Sequence, residues 1–207
     1  MGLTEWVLVG LVLVAVAVVL LWRRAVRLDT LHRTVLRSRQ TLETQLAQRA
    51  AAAHELATSG ALDPAETLLV TDVVLRATDA AGSEVVPDGL AGSTPDHLLA
   101  APDVSAATPP EERSDRALIE SELSRTLRTV LGDGASRQGL AEDPRTGDML
   151  DRLEQSWYRL QLARRFHNSH VEQVRRLRAD PVVRYFRLAG RAPMPEPFDM
   201  DDTLPSD

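Results

Sequence analysis

The sequence predicts an all-α protein: a single N-terminal transmembrane helix that continues into an antiparallel up-down bundle of four helices, with a short C-terminal helix added. Three observations predict this. Residues 6 to 22, WVLVGLVLVAVAVVLLW, carry no charge. The remainder is rich in Ala, Leu, Val and Arg but holds only three Trp, two Tyr and three Phe in 207 residues, a balance that favours helices joined by aliphatic seams over an aromatic-rich sandwich. Finally, Asp or Thr followed by proline recurs at positions 63, 108, 143 and 180, the pattern of a capped helix start.

The first element is the span. As a helix, Trp6 to Trp22 covers ~25 Å at ~1.5 Å per residue, close to the ~30 Å of a hydrocarbon core. Trp6 and Trp22 stand at its two ends, where amphipathic rings prefer the interface. A cleaved signal peptide would place its positive charge before the apolar run and small residues after it. Here MGLTE precedes the run and RRAVR follows, so an uncleaved anchor is expected. The same asymmetry sets orientation. Arg23, Arg24, Arg27 and Arg33 all flank the C-terminal side, which predicts residues 23 to 207 in the cytoplasm and the N-terminus outside. The expected location is therefore the cell membrane, crossed once.

No glycine or proline occurs between Leu11 and Ser59, so the span runs on as the first bundle helix until Gly60 stops it. Leu28, Leu31, Val35, Leu42, Leu46, Ala53 and Leu56 form its apolar stripe, at steps of three, four and seven. DPAE at 63 to 66 opens a second helix to about Ala80, with Leu69, Val73 and Ala80 apolar. TPPE at 108 to 111 opens a third to about Leu131, faced by Ile119, Leu123, Leu127 and Val130. DPRT at 143 to 146 opens the last long helix, to about Ala179. Its stripe is Leu150, Leu153, Trp157, Leu160, His167, Val171 and Val174. A second DP, at 180 and 181, starts a short helix expected to end at Gly190. One-stripe helices are unstable alone in water, so these four are expected to bury their stripes together. Short connections at 60 to 62 and 132 to 143 favour antiparallel neighbours.

Three regions follow: 1–22, N-terminal tail and anchor; 23–190, cytoplasmic bundle with a flexible linker at about 82–108; and 191–207, a disordered acidic tail. The linker is rich in Gly, Pro and Ser. The tail carries four prolines and five acids. Within it, EPFDMDD sets Phe198 and Met200 among acids, which reads as a docking segment or as a solubilising terminus.

Composition also excludes functions. There is no cysteine, which removes disulfides, zinc–cysteine sites and thiol catalysis. All 24 basic residues are arginines, and the formal charge of −6 argues against a nucleic-acid binder. No phosphate-cradling glycine loop, HExxH or GxSxG occurs.

The candidate sites lie around ARRFHNSHVEQV. His167 and His170, three apart on a helix, are candidate metal ligands, with His32 on the first helix at similar depth as a third. The competing reading makes His167 a seam residue and leaves His170 facing water. Asn168 is expected to hydrogen-bond across to the first helix, to Gln45 or Glu43, fixing register. Arg175, Arg176, Arg178, Arg184 and Arg187 crowd the end of the last helix. If that helix returns to the membrane they join Arg23, Arg24 and Arg27 at the anionic leaflet, at ~1 kcal/mol for each basic group.

The run Leu28 to Arg49, with Leu42, Glu43, Gln45, Leu46 and Arg49 in LExQLxxR, resembles the first soluble helix of the LemA family. ARRFHNSHVEQV, with Pro181 and LAG behind it, resembles that family's A-R-x-x-Y-N-x-x-V signature. Asn168 and Val171 match, while His167 stands where tyrosine is usual. Ala25-Val26 replaces the family's aromatic-Asn pair, and Ala179-Asp180-Pro181 replaces Phe-Pro. The resemblance implies a single-span membrane protein with a cytoplasmic antiparallel helical bundle and no established enzymatic activity. The expectation is a non-enzymatic scaffold or regulatory module without cofactor. Its partners would be the anionic bilayer and a protein, either a second copy or another chain. The alternative is a membrane-surface metal-binding protein or enzyme built on His167 and His170.

Overall fold

The computed structural model describes residues 2–83, 86–90, 110–190 and 192–204. Every regular element among them is a helix: α1 (Leu3–Thr58), α2 (Pro64–Ser83), α3 (Pro110–Leu131), α4 (Gly134–Glu142), α5 (Pro144–Ala179) and α6 (Pro181–Tyr185). One of them, α1, is long and apolar enough to cross a membrane.

α1 is continuous because nothing in its sequence interrupts the hydrogen-bond ladder between Gly10 and Gly60. Its residues 6–20 and Trp22 are exposed. From Leu28 onward it buries one face, and at its end Gly60 turns the chain with φ +80°. Asp63 caps α2 by accepting from Ala65 N, while Glu66 reaches back to the Asp63 amide, a reciprocal capping box. Asp143 caps α5 in the same way with proline at the first position, and Asp180 caps α6. These starts agree with the sequence reading. TPPE differs slightly: α3 begins at Pro110, and positions 108 and 109 lie outside the described residues.

Three cross-helix contacts set the register of α1 on α5. Arg24 meets Asp180, Ser38 meets His167 and Glu55 meets Arg152. As one number rises the other falls, so the two helices run in opposite directions. α2 packs on α1, and α3 on α2. Among the described residues α3 and α5 barely meet directly. The space between them is bridged by residues 198–204.

That is the main departure from the sequence reading. Residues 192–204, expected to be disordered, are extended and docked. Phe198 is 1% exposed and packs with Leu42, Leu46, Leu160 and Ala163. Met200 and Asp202 are also buried. Acids and prolines lower the tendency to form a core, but here the acids meet arginines and the prolines hold the strand extended. Positions 191 and 205–207 lie outside the described residues. The linker reading changes too. Residues 82 and 83 belong to α2, and Val86, Asp88 and Leu90 are buried. Positions 84, 85 and 91–109 lie outside the described residues.

Two smaller corrections follow local chemistry. The connection 132–143 contains a helix, α4, capped by Asp133 and anchored by buried Leu140. The short last helix ends at Tyr185, before Gly190, because Arg187 adopts the left-handed conformation at φ 51°. Leu188 N then donates to Val183 O and Arg187 N to Arg184 O, a Schellman closure that folds Leu188 back onto the core. On α2, Leu69 is exposed, and the buried face is Val70, Val73, Val74 and Ala77.

The core forms three clusters along α1. The one nearest the apolar span joins Leu28, Val35 and Leu36 to Val171, Val174 and Val183. The middle one seats Phe198, and the far one joins Ala53 and Leu56 to Val73, Leu127, Leu153 and Trp157. Each fully buried leucine contributes about 1.5–3 kcal/mol.

The two extended segments touch at Gly89. It sits at φ +74°, and a Cβ there would lie 2.6 Å from the Met194 carbonyl oxygen, while Glu196 N donates to Asp88 O at 2.7 Å. Gly89→Ala is therefore expected to cost about 1–3 kcal/mol through strain and clash. Hydrogen exchange should show the loss first as faster exchange at the Glu196 and Phe198 amides.

Candidate functional site

Within α1, two residues after Trp22, Arg24 forms an ion pair with Asp180, which also accepts the Val182 amide. The Val182 bond, reinforced by Arg24, holds the Asp180 carboxyl below its ordinary range. This contact fixes the end of α5 and the start of α6 beside the residues that follow Trp22. Arg23, Arg27, Arg175, Arg184 and Arg187 are exposed there. Arg176 is exposed and pairs with Glu172 on its own helix. Arg178 is different: it is half-buried and donates to the Pro193 carbonyl at 2.6 Å, so it holds the extended segment and not the surface. Tyr185 is 82% exposed and stacks edge-on against Phe186, their centroids 5.0 Å apart.

The histidines do not assemble. His167 is fully buried on the α1–α5 seam, where its Nδ1 lies 3.1 Å from Ser38 Oγ. Ser38 Oγ also lies 2.8 Å from Val35 O, and His167 Nε2 is buried without a partner among the described residues. Burial, with Arg39 and His170 adding to it, lowers the His167 pKa to about 4. His32 is buried, its Nδ1 donates to Leu28 O at 3.0 Å, and burial lowers its pKa as well. His170 is half-buried, and its Nδ1 has no partner. Among the described residues no group of three or more His, Asp or Glu is arranged to hold a metal ion.

Asn168 does not reach the first helix. Its side-chain amide donates to Phe198 O at 3.0 Å and accepts Phe198 N at 2.9 Å, gripping both backbone groups of one residue. Glu43 instead accepts the Val86 amide, and Gln45 Oε1 is buried with no donor among the described residues. The expected pairing with Gln45 fails because the extended segment reaches Asn168 first.

Sequence reasoning missed the groove this segment fills. Trp157 Nε1 and Gln161 Nε2 both donate to Asp202 O, at 3.0 and 2.6 Å. Arg164 forks onto the Asp202 carboxylate at 2.7 and 2.9 Å. On the opposite wall Arg128 forks onto Asp201 and donates to Thr203 O, while Ser121 accepts the Asp201 amide. The Arg128 bonds hold the Asp201 carboxyl far below the usual carboxylate range.

Behind the groove lies a buried ionic network. Arg49 is 0% exposed, donates to Glu120 Oε2 and Ser124 Oγ at 2.7 Å each, and lies 5.6 Å from the Trp157 ring centroid. Arg116 takes the other Glu120 oxygen at 2.9 Å. A second buried pair joins Arg39 to Asp88 at 3.1 Å, where burial raises the Asp88 pKa against the pull of Arg39.

Removing Glu120 alone strands two buried guanidinium groups, so Glu120→Ala is expected to cost about 3–5 kcal/mol in chemical denaturation. Acid should weaken the fold for a separate reason. The unfolded chain protonates His167 near 6.5 and the folded chain only near 4. Within that window the unfolded state binds more protons, so stability rises with pH and is lost as pH falls from about 6.5 to 4, by up to about 3 kcal/mol from this residue. His32 adds in the same direction. Denaturation midpoints for His167→Gln should show a shallower slope across that window. Compared with family models, curated proteins and solved structures, the chain matches none.

Proposed function

We propose that this chain is a non-enzymatic, single-pass membrane protein whose four main helices form an antiparallel bundle of the LemA-like kind. The bundle stands on the cytoplasmic leaflet as a scaffold or regulatory interaction module. The observation that carries the reading is the Arg24–Asp180 contact directly after the apolar, largely exposed run that ends at Trp22. It ties the far end of α5 to the foot of the span. Arg184, Tyr185, Phe186 and Arg187 follow within two turns, all exposed. Aromatic rings beside cations suit a headgroup layer, where each basic group adds ~1 kcal/mol on anionic lipid. Four arginines after the span and none before it support an inward-facing bundle.

The non-enzymatic reading is supported by how the interior ionisable groups are used. Arg49 and Arg116 both pair with Glu120, and Arg39 pairs with Asp88, so their charge is spent on holding α1 to α3 and to the 86–90 segment. Protein association has surface to use: Leu68, Leu75 and Leu118 are exposed on α2 and α3, available to another protein or to a second copy of the chain.

In proteoliposomes containing phosphatidylserine, amides 181–190 are expected to exchange more slowly than in pure phosphatidylcholine. Arg184→Glu with Arg187→Glu should erase the difference, and equal exchange in both lipids would refute the leaflet contact. Protease added outside intact cells should leave the bundle uncut.

A further inference from the structure

We propose that the groove between α3 and α5 is a receptor site for an extended acidic peptide of a partner protein, with the pattern aromatic–acid–aliphatic–acid–acid, and that residues 198–202 of this chain are its resident occupant. The inference stands on the groove alone and does not rest on the membrane reading.

The contacts are those by which folded domains hold peptides. Half of the hydrogen bonds to residues 198–202 go to backbone groups of the occupant. Asn168 clamps both polar groups of Phe198, Trp157 and Gln161 converge on one carbonyl of Asp202, and Ser121 takes the Asp201 amide. Such bonds recognise any extended chain, and specificity falls to pockets and charges. Here there is one deep socket, filled by Phe198, and two arginine forks, one on each wall, matched to consecutive carboxylates. Charge complementarity thus specifies the occupant: a chain of net charge −6 turns cations inward to meet its own acids.

α3 and α5 barely touch, and each is positioned from behind, α3 by α2 and by the Glu120–Arg49 contact, α5 by α1. An empty groove would leave the Trp157 indole N–H and the Arg164 guanidinium short of partners in a half-dry site, which is costly. Exchange of one acidic peptide for another of the same pattern keeps every bond and is close to neutral. Occupancy is then decided by effective concentration, which the covalent tether sets for the resident segment.

The test uses the full chain in detergent micelles and a fluorescein-labelled peptide of residues 192–204 as probe. Asp201→Asn with Asp202→Asn weakens the resident segment while leaving the groove intact. The probe is expected to bind this variant at least tenfold more tightly than it binds the native chain. The probe carrying Phe198→Ala should bind at least tenfold more weakly than the unaltered probe, and Asn168→Asp in the receptor should give a similar loss. Circular dichroism confirms that each receptor is helical, and the altered probe keeps the test valid if Asn168→Asp fails to fold. Absence of saturable binding to the weakened variant, or equal binding of both probes, would overturn the proposal and make the segment a fixed part of the core. A native dimer dissolved by the probe would also overturn it, by assigning the groove to a second copy.

Discussion

The buried Arg49–Glu120 pair is the constraint from which the rest of the arrangement follows. Arg49 lies on α1 and Glu120 on α3, two helices that are not side-by-side neighbours, and the Trp157 ring of α5 lies against the guanidinium. One side chain thus joins three helices through the middle of the protein. Desolvating the pair is expensive, and an apolar substitute of equal volume would serve stability about as well. What the pair supplies is register: a guanidinium with four fixed partners accepts one depth for α3 and one rotation for α5. That rotation turns Trp157 Nε1 outward to the groove and sets Gln161, Arg164 and Asn168 in a line behind it.

The helix starts at Asp63, Asp143 and Asp180 could be read directly, because a cap and its proline act within four residues. The α5 stripe, His167 included, was legible from spacing alone and is buried throughout. The α1 stripe carried an overlooked signal. Its two seven-residue steps, from Val35 to Leu42 and from Leu46 to Ala53, skip Arg39 and Arg49, which are buried on that same face. An arginine inside an apolar stripe implies a buried acid, but nothing local points to Asp88 or Glu120, which lie 49 and 71 residues away.

The C-terminal segment was misread for the opposite reason. Its acids and prolines are what a solvated tail contains, and composition does not record that arginines 128 and 164 wait for it on separate helices. Asn168 was recognised as an inter-element hydrogen bonder, yet its partner is a backbone and not a side chain. Both misses have one cause: pattern reading pairs helices with helices, and here α3 and α5 are bridged by a segment without regular structure.

The uninterrupted α1 has a mechanical consequence. At ~1.5 Å per residue its 56 residues make a rod of ~84 Å, with no glycine or proline joint where the apolar run gives way to the packed portion. In a bilayer whose hydrocarbon layer is thinner than that ~25 Å run, the run tilts, and the rod swings everything bolted to it through the same angle. Bilayer thickness and the attitude of the folded mass therefore become one variable.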